Sequence, residues 1–259
     1  MPQNSLEPFT PCEPLLRDKV AIVTGAGRGI GSHIARLFAA EGACVVAHYN
    51  ASREGADEVA ATIGGKAIVA QADLTSEEQS ARLVDEARAA FGRVDILVNT
   101  AASFAHDITF ERAVWDDYAR EFAGVVGATI NPTRAVVPVM KGQGGGRIIN
   151  FVATLVQRPS SEYVVHITAK SALIGFTRTI ARDLGPFGIT VNMISPGVTL
   201  TEFSKSLPEQ VQESVARLTP LRRLAEADDV ARVALFYASP LAGFVTGTNI
   251  APDGGLTPL

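Results

Sequence analysis

The reading of the fold turns on VAIVTGAGRGIG, Val20 to Gly31. Four apolar residues, Val20 to Val23, have the length and composition of a buried strand and run without a break into TGAGRGIG, Thr24 to Gly31. Beyond the glycines, Ile30, Ile34, Leu37 and Phe38 recur at helical spacing, and Gly42 stops the helix. A glycine turn between a strand and a helix lets the backbone turn tightly and approach a pyrophosphate closely. The helix N-terminus then offers unpaired N–H groups and a positive dipole to the phosphates. A glycine pattern alone is a weak signal, but here it follows a strand and opens a helix, the context that gives it meaning. Gly25, Gly27, Arg28, Gly29, Ile30 and Gly31 are therefore the candidate dinucleotide loop.

Outward from this loop the pattern repeats. ACVVAHY, KAIVAQ, VDILVN, RIINFV, GITVNMI and TNIAP read as strands. SREGADEVAATI, a segment ending at Phe91 that Thr75 and Glu78 would open with a capping box, the face Leu173, Phe176, Ile180 and Leu184, and Ala227 to Ala238 read as helices. Strands alternating with helices of ten or more residues imply an α/β, doubly wound parallel sheet covered on both faces. No linker divides the chain, so residues 1–18 are expected to be a loose, Pro-rich N-terminal extension and residues 19–259 a single domain.

Composition narrows the function. Of 259 residues, 47% are hydrophobic and 19% charged, enough to build a large core. A formal charge of −4 and the lack of a Lys/Arg run argue against nucleic acid. No apolar run approaches the length of a membrane span. The two cysteines, Cys12 and Cys44, suit a reducing compartment better than a disulfide scaffold, so a cytoplasmic location is expected. The histidines His33, His48, His106 and His166 have no ligand-like spacing, and no metal site is expected.

The end of the second strand bears on the choice of dinucleotide. An NAD site usually places a carboxylate there, on the ribose 2′-hydroxyl. This chain reads HYNASRE: Tyr49 stands where the acid is expected, followed by Asn50, Ser52 and Arg53. With no carboxylate to repel a 2′-phosphate, and Arg53 and Arg28 to pair with one, NADP is favoured over NAD.

From Lys19 to Gly255 the chain resembles the short-chain dehydrogenase/reductase family. The likeness rests on TGAGRGIG, the Ala72–Asp73 pair, DILVNTAA, GGGRIIN, the helix that carries Lys170, VNMISPG (Val191 to Gly197) and the closing DGG (Asp253 to Gly255). It implies a Rossmann fold of about seven parallel strands, hydride transfer between NAD(P)(H) and a small alcohol or carbonyl, and a homo-oligomer, tetramer or dimer. It also implies that Asp73 and Leu74 flank the adenine, Asn99 and Ala101 the ribose side, and Pro196, Gly197 and Thr201 the nicotinamide end. The segment from Thr201 to Leu218 would form a helical flap over the substrate, with Phe104, Val156, Tyr163 and Phe203 lining the pocket.

The departures from the family pattern gather where the chemistry would be. The family uses Asn, Ser, Tyr and Lys. Lys170 matches the lysine, which would hold the nicotinamide ribose. The Tyr position, four residues earlier, is His166, the Ser position is Ala153, and the Asn position falls on Val125. Tyr163 lies about two helical turns from Lys170, ~10 Å along a helix, and does not take the missing phenol's place. An imidazole titrates near neutrality without help, so His166 with Lys170 is the candidate catalytic pair. Loss of the serine hydroxyl removes a donor of a kind commonly worth ~10²–10³ in rate. The alternative to an oxidoreductase with a reworked His/Lys site is a non-redox or catalytically silent protein that keeps the fold and the nucleotide loop.

Overall fold

The computed structural model describes residues 13–104, 107–202 and 208–257. Phe203 and His106 lie outside the described residues, as do Cys12 and residues 203–207 of the expected flap, whose later part, Glu209–Leu218, is a helix. Seven parallel strands form one sheet in the order β3-β2-β1-β4-β5-β6-β9. They are β1 (Val20–Val23), β2 (Cys44–Tyr49), β3 (Ala67–Gln71), β4 (Ile96–Asn99), β5 (Gly146–Phe151), β6 (Ile189–Ile194) and β9 (Asn249–Ile250). Two short strands, β7 (Thr199–Leu200) and β8 (Ala225–Glu226), pair separately.

Alternation along the strands explains the two-sided cover. Ala21 and Val23, Val45 and Ala47, and Ile96 and Val98 face one way. They pack with Ile34 and Phe38 of α1 (Gly29–Ala40), Val59 of α2 (Arg53–Ile63), and Val230 and Ala234 of the helix Ala227–Ala238. Ile22, Val46 and Leu97 face the other way. Their partners are Leu83 and Val84 of α3 (Glu77–Phe91), Val136 and Met140 of α5 (Ala128–Gln143), and Leu184 of α6 (Val164–Leu184). Each face buries branched aliphatic side chains wholly, and the first also Phe38 and Tyr237, at about 1.5–3 kcal/mol for each large apolar side chain.

Two local expectations change. Residues 13–18, read as part of a loose extension, are packed: Leu16 is fully buried in the first cluster, and its N–H donates to the Glu41 carbonyl at 2.8 Å. The cap of α3 is Ser76, whose hydroxyl accepts from the Gln79 N–H at 3.2 Å. Thr75 stands one residue before the N-cap position, because the helix begins at Glu77, and its hydroxyl is turned back to donate to Asp73 Oδ1 at 2.8 Å.

One irregularity bears on the site. Between α4 (Trp115–Phe122) and α5, residues Ala123–Gly127 form a π turn, and the Ala128 N–H reaches back five residues to the Ala123 carbonyl. Pro132 follows within α5, where its ring removes a backbone donor. The Thr129 and Thr133 hydroxyls donate to the carbonyls four residues before each of them, Val125 and Thr129, at 2.8 and 2.7 Å. Such bulges recur at functional sites because they re-aim the side chains on either side. No described helix is long and apolar enough to cross a membrane.

Candidate active site

The strand order reverses between β1 and β4, so a crevice opens at the carboxyl ends of these two strands. The glycine loop sits there. Gly25 has φ +65°, a conformation costly for any residue with a Cβ, and its Cα packs near Ala101 at the end of β4. Gly31 is required for a different reason: a Cβ on it would lie 2.4 Å from the Gly25 carbonyl oxygen. Arg28, at the N-cap of α1, gives no side-chain hydrogen bond to the helix. Thr24 ties the crevice together. Its hydroxyl donates to the Val98 carbonyl and accepts the N–H groups of Thr100 and Ala101 at 3.0 Å. A glycine cradle at an uncapped helix start fits a pyrophosphate.

His48 was read only as a residue without ligand spacing, and the structure makes it a support of this loop. Its Nδ1 accepts the Gly25 N–H at 3.1 Å, and its Nε2 donates to the Ala72 carbonyl at 2.9 Å. The ring is almost wholly buried, and that burial holds its pKa below the ordinary value against the pull of the Ala72 carbonyl. The available signal was a polar residue in a strand whose neighbours are all apolar.

Beyond β2 the backbone turns outward. Tyr49 is half-buried, Asn50, Ser52 and Arg53 are exposed, and no carboxylate stands before Glu54. Arg53 Nε donates to Asp57 Oδ2 at 3.2 Å, one turn on along α2. Asp73 accepts from the Thr75 N–H, and the Leu74 carbonyl from Asn131 at 2.9 Å, which fixes the loop after β3. The Asn99 side chain is turned into the sheet and donates to Asn150 Oδ1 at 2.8 Å and Thr133 Oγ1 at 3.2 Å. Thr201, in the chain beyond Pro196 and Gly197, comes down on the glycine loop. A Cβ on Gly29 would meet its methyl group at 3.5 Å.

Past the loop lies the pair expected to do chemistry. Both His166 and Lys170 are buried, one turn apart on α6. Lys170 Nζ donates to the Phe151 carbonyl at 2.7 Å, and burial pushes its ammonium down to about 8 against the pull of the Glu121 carboxylate. His166 Nδ1 lies 2.5 Å from Glu121 Oε1, with both side chains no more than 5% exposed. The other carboxylate oxygen, Oε2, accepts from Ser103 Oγ at 2.8 Å. Phe104 meets the imidazole edge-on, with ring centroids 4.6 Å apart at 76°, and packs on Tyr163 at 5.7 Å. Burial, helped by the Asp107 and Glu162 carboxylates, raises the Tyr163 phenol above its ordinary range, where it is a poorer acid.

Glu121 is the functional candidate that sequence reasoning missed. It is separated from His166 by 45 positions and belongs to no motif, so only the folded chain joins them. The position aligned with the family's Asn, Val125, is fully buried among Val152, Ala169, Leu173 and Met193. Thr154, beside Ala153, offers no replacement hydroxyl, because its Oγ1 donates to the Pro196 carbonyl at 3.2 Å.

Comparison with known proteins agrees with this fold and loop. Residues 25–257 match the family model described as Enoyl-(Acyl carrier protein) reductase. The chain is 35% identical to the 7alpha-hydroxysteroid dehydrogenase of Escherichia coli over 244 residues, covering 93% of this chain and 94% of that one. It is 34% identical to the 3-oxoacyl-[acyl-carrier-protein] reductase of a Synechocystis species over 245 residues, covering 93% and 98%. The solved structure of a mutant Serratia marcescens short-chain dehydrogenase/reductase superposes with a TM-score of 0.87 at 35% identity, covering 94% of this chain and 99% of that one. With a family model spanning nearly the whole fold and relatives alike over their full lengths, this chain belongs to the short-chain dehydrogenase/reductase family.

Proposed function

We propose that this protein is an NADP-dependent oxidoreductase that interconverts a carbonyl and an alcohol, with His166 as the proton carrier and Lys170 beside it. The observation that carries this reading is the buried His166 ring, held in place one turn before Lys170 on the helix where the family keeps its acid. The bound nicotinamide would supply or accept the hydride. Gly25 to Gly31 and the start of α1 would hold the pyrophosphate, with Thr201 closing over them. Lys170 would donate to the nicotinamide ribose, and it remains mostly charged at neutral pH with its pKa near 8.

NADP is favoured over NAD because the end of β2 carries Tyr49, Asn50, Ser52 and Arg53 and no carboxylate. The Arg53–Asp57 pair is exposed on both sides, and such pairs are worth only about 0–1 kcal/mol. Turning Arg53, with Arg28, onto a 2′-phosphate therefore costs little. By family likeness the protein acts as a homo-oligomer, tetramer or dimer, in the cytoplasm, on a small molecule.

One observation favours a second reading. Among the described residues, no hydroxyl is assigned to the place of the family's serine: Ala153 has none, and that of Thr154 is tied to Pro196. A protein that binds the nucleotide without reducing a carbonyl would tolerate this. The test is NADPH and NADH binding by fluorescence, then turnover on a panel of ketones and aldehydes with wild type and His166→Phe. The proposal expects tighter NADPH binding and turnover that His166→Phe abolishes. Absence of cofactor binding refutes it, and binding with no turnover on any carbonyl transfers support to the second reading.

A further inference from the structure

We propose that Glu121 is the positioning residue of this site, fixing the His166 proton on Nδ1 so that Nε2 is the atom that exchanges a proton with substrate. The inference deepens the oxidoreductase reading and rests on it for its chemical consequence.

The argument begins with what each group can donate. An ionised carboxylate only accepts hydrogen bonds, so the imidazole nitrogen 2.5 Å from Glu121 Oε1 must carry the hydrogen. The other tautomer would set a nitrogen lone pair against a carboxylate lone pair in a site sealed from water. Ser103 occupies the second carboxylate oxygen, so Glu121 is itself held and cannot swing away without leaving that donor. Phe104 fixes the plane of the ring from the side, and Lys170, one turn on along the same helix, feels the Glu121 carboxylate. The π turn that follows α4 begins two residues after Glu121, at Ala123.

The proton balance follows. In reduction, the imidazolium would give its Nε2 proton to the carbonyl oxygen, and a bound nicotinamide would supply the hydride that forms the new C–H bond. The products are the alcohol, NADP⁺ and a neutral ring that still donates Nδ1–H to Glu121. Oxidation runs the same exchange backwards, with Nε2 accepting the alcohol proton. Glu121 keeps its charge throughout and is not itself protonated. A carboxylate in the corresponding place behind a catalytic histidine is worth about 10⁴ in rate in serine proteases, through the tautomer it enforces.

A readout of the tautomer separates this role from simple filling of space. Protein labelled with ¹⁵N-histidine would be studied by long-range ¹H–¹⁵N correlation, with the His166 signals assigned by their loss in His166→Phe. In wild type the neutral ring is expected as the Nδ1–H tautomer, and in Glu121→Ala that preference should be lost. Glu121→Asp should restore it in part. In parallel, Glu121→Ala should lower kcat by 10²-fold or more while KM and NADPH binding change little. An Nε2–H ring in wild type, or one indifferent to Glu121→Ala, overturns the proposal. The correct tautomer in a wild type that turns over no carbonyl leaves the positioning role standing and refutes the oxidoreductase reading instead.

Discussion

Replacing Lys170 with methionine should change how stability depends on pH, by an amount that follows from the burial of the ammonium. Lys170 is 6% exposed, and its pKa falls from 10.5 to about 8 in the folded chain, chiefly through desolvation. Below about pH 8 both folded and unfolded chains carry the proton, and the folded state bears the full cost of the buried charge. Between pH 8 and 10.5 the unfolded chain keeps a proton that the folded chain has released, so stability rises with pH through that window. The complete effect is about 3 kcal/mol, of which about 1.4 kcal/mol develops between pH 7 and 9 and about 2.6 kcal/mol by pH 10. Lys170→Met cannot titrate. It also leaves the Phe151 carbonyl without its donor, a penalty of about 1–3 kcal/mol that does not vary with pH. Urea unfolding of both proteins without cofactor at pH 7, 8, 9 and 10 isolates the titrating part. The stability of wild type relative to the variant should climb by about 2–3 kcal/mol across the series. A difference that stays flat would mean that Lys170 reaches water, and the desolvation argument would fail.

Other outcomes follow from the same geometry. His166→Phe removes a donor that the buried Glu121 carboxylate holds beside Ser103 and should cost about 3–5 kcal/mol, whereas Glu121→Gln with His166→Phe should cost less than the two single changes added together. Strict additivity in that double-mutant cycle would deny the coupling. His48→Ala should weaken NADPH binding by releasing Gly25. Because the folded ring is held neutral, wild type should lose stability as pH falls below about 6.5, where the unfolded chain takes up the proton. A variant with the same acid limb as wild type would count against that role. Gly31→Ala drives a methyl group into the Gly25 carbonyl and should lower NADPH affinity at least tenfold; unchanged affinity in a titration would refute the cradle.

What the sequence made legible was local. β1, the glycine turn and α1 could be read because a strand, a turn and a helix each have a periodicity confined to a few residues. The apolar face Leu173, Phe176, Ile180 and Leu184 gave the helix of Lys170 in the same way, but the lysine itself was singled out by family resemblance. Glu121 was not, because its meaning depends on a contact across the fold and on a π turn that no helical spacing signals. Val125 shows the limit of alignment: matching it to a polar family position said nothing of where the polar group had gone. The cap of α3 slipped by one residue because Thr75 and Ser76 are both good caps, and the backbone decides between them by entering the helix at Glu77, which puts the Ser76 hydroxyl within reach of the Gln79 N–H.

The π turn at Ala123–Gly127 also makes the site sensitive to the reading frame of one helix rather than to the identity of its side chains. A five-residue turn in place of a four-residue one is a single-codon difference. Deleting one residue from the regular turns beside it, with no wide turn to absorb the change, would rotate Glu121 by about 100° around the axis relative to α5. The carboxylate would leave His166 although every residue of the pair survived. Gain or loss of this dyad among related chains should therefore track insertions and deletions in this segment as closely as it tracks the histidine itself.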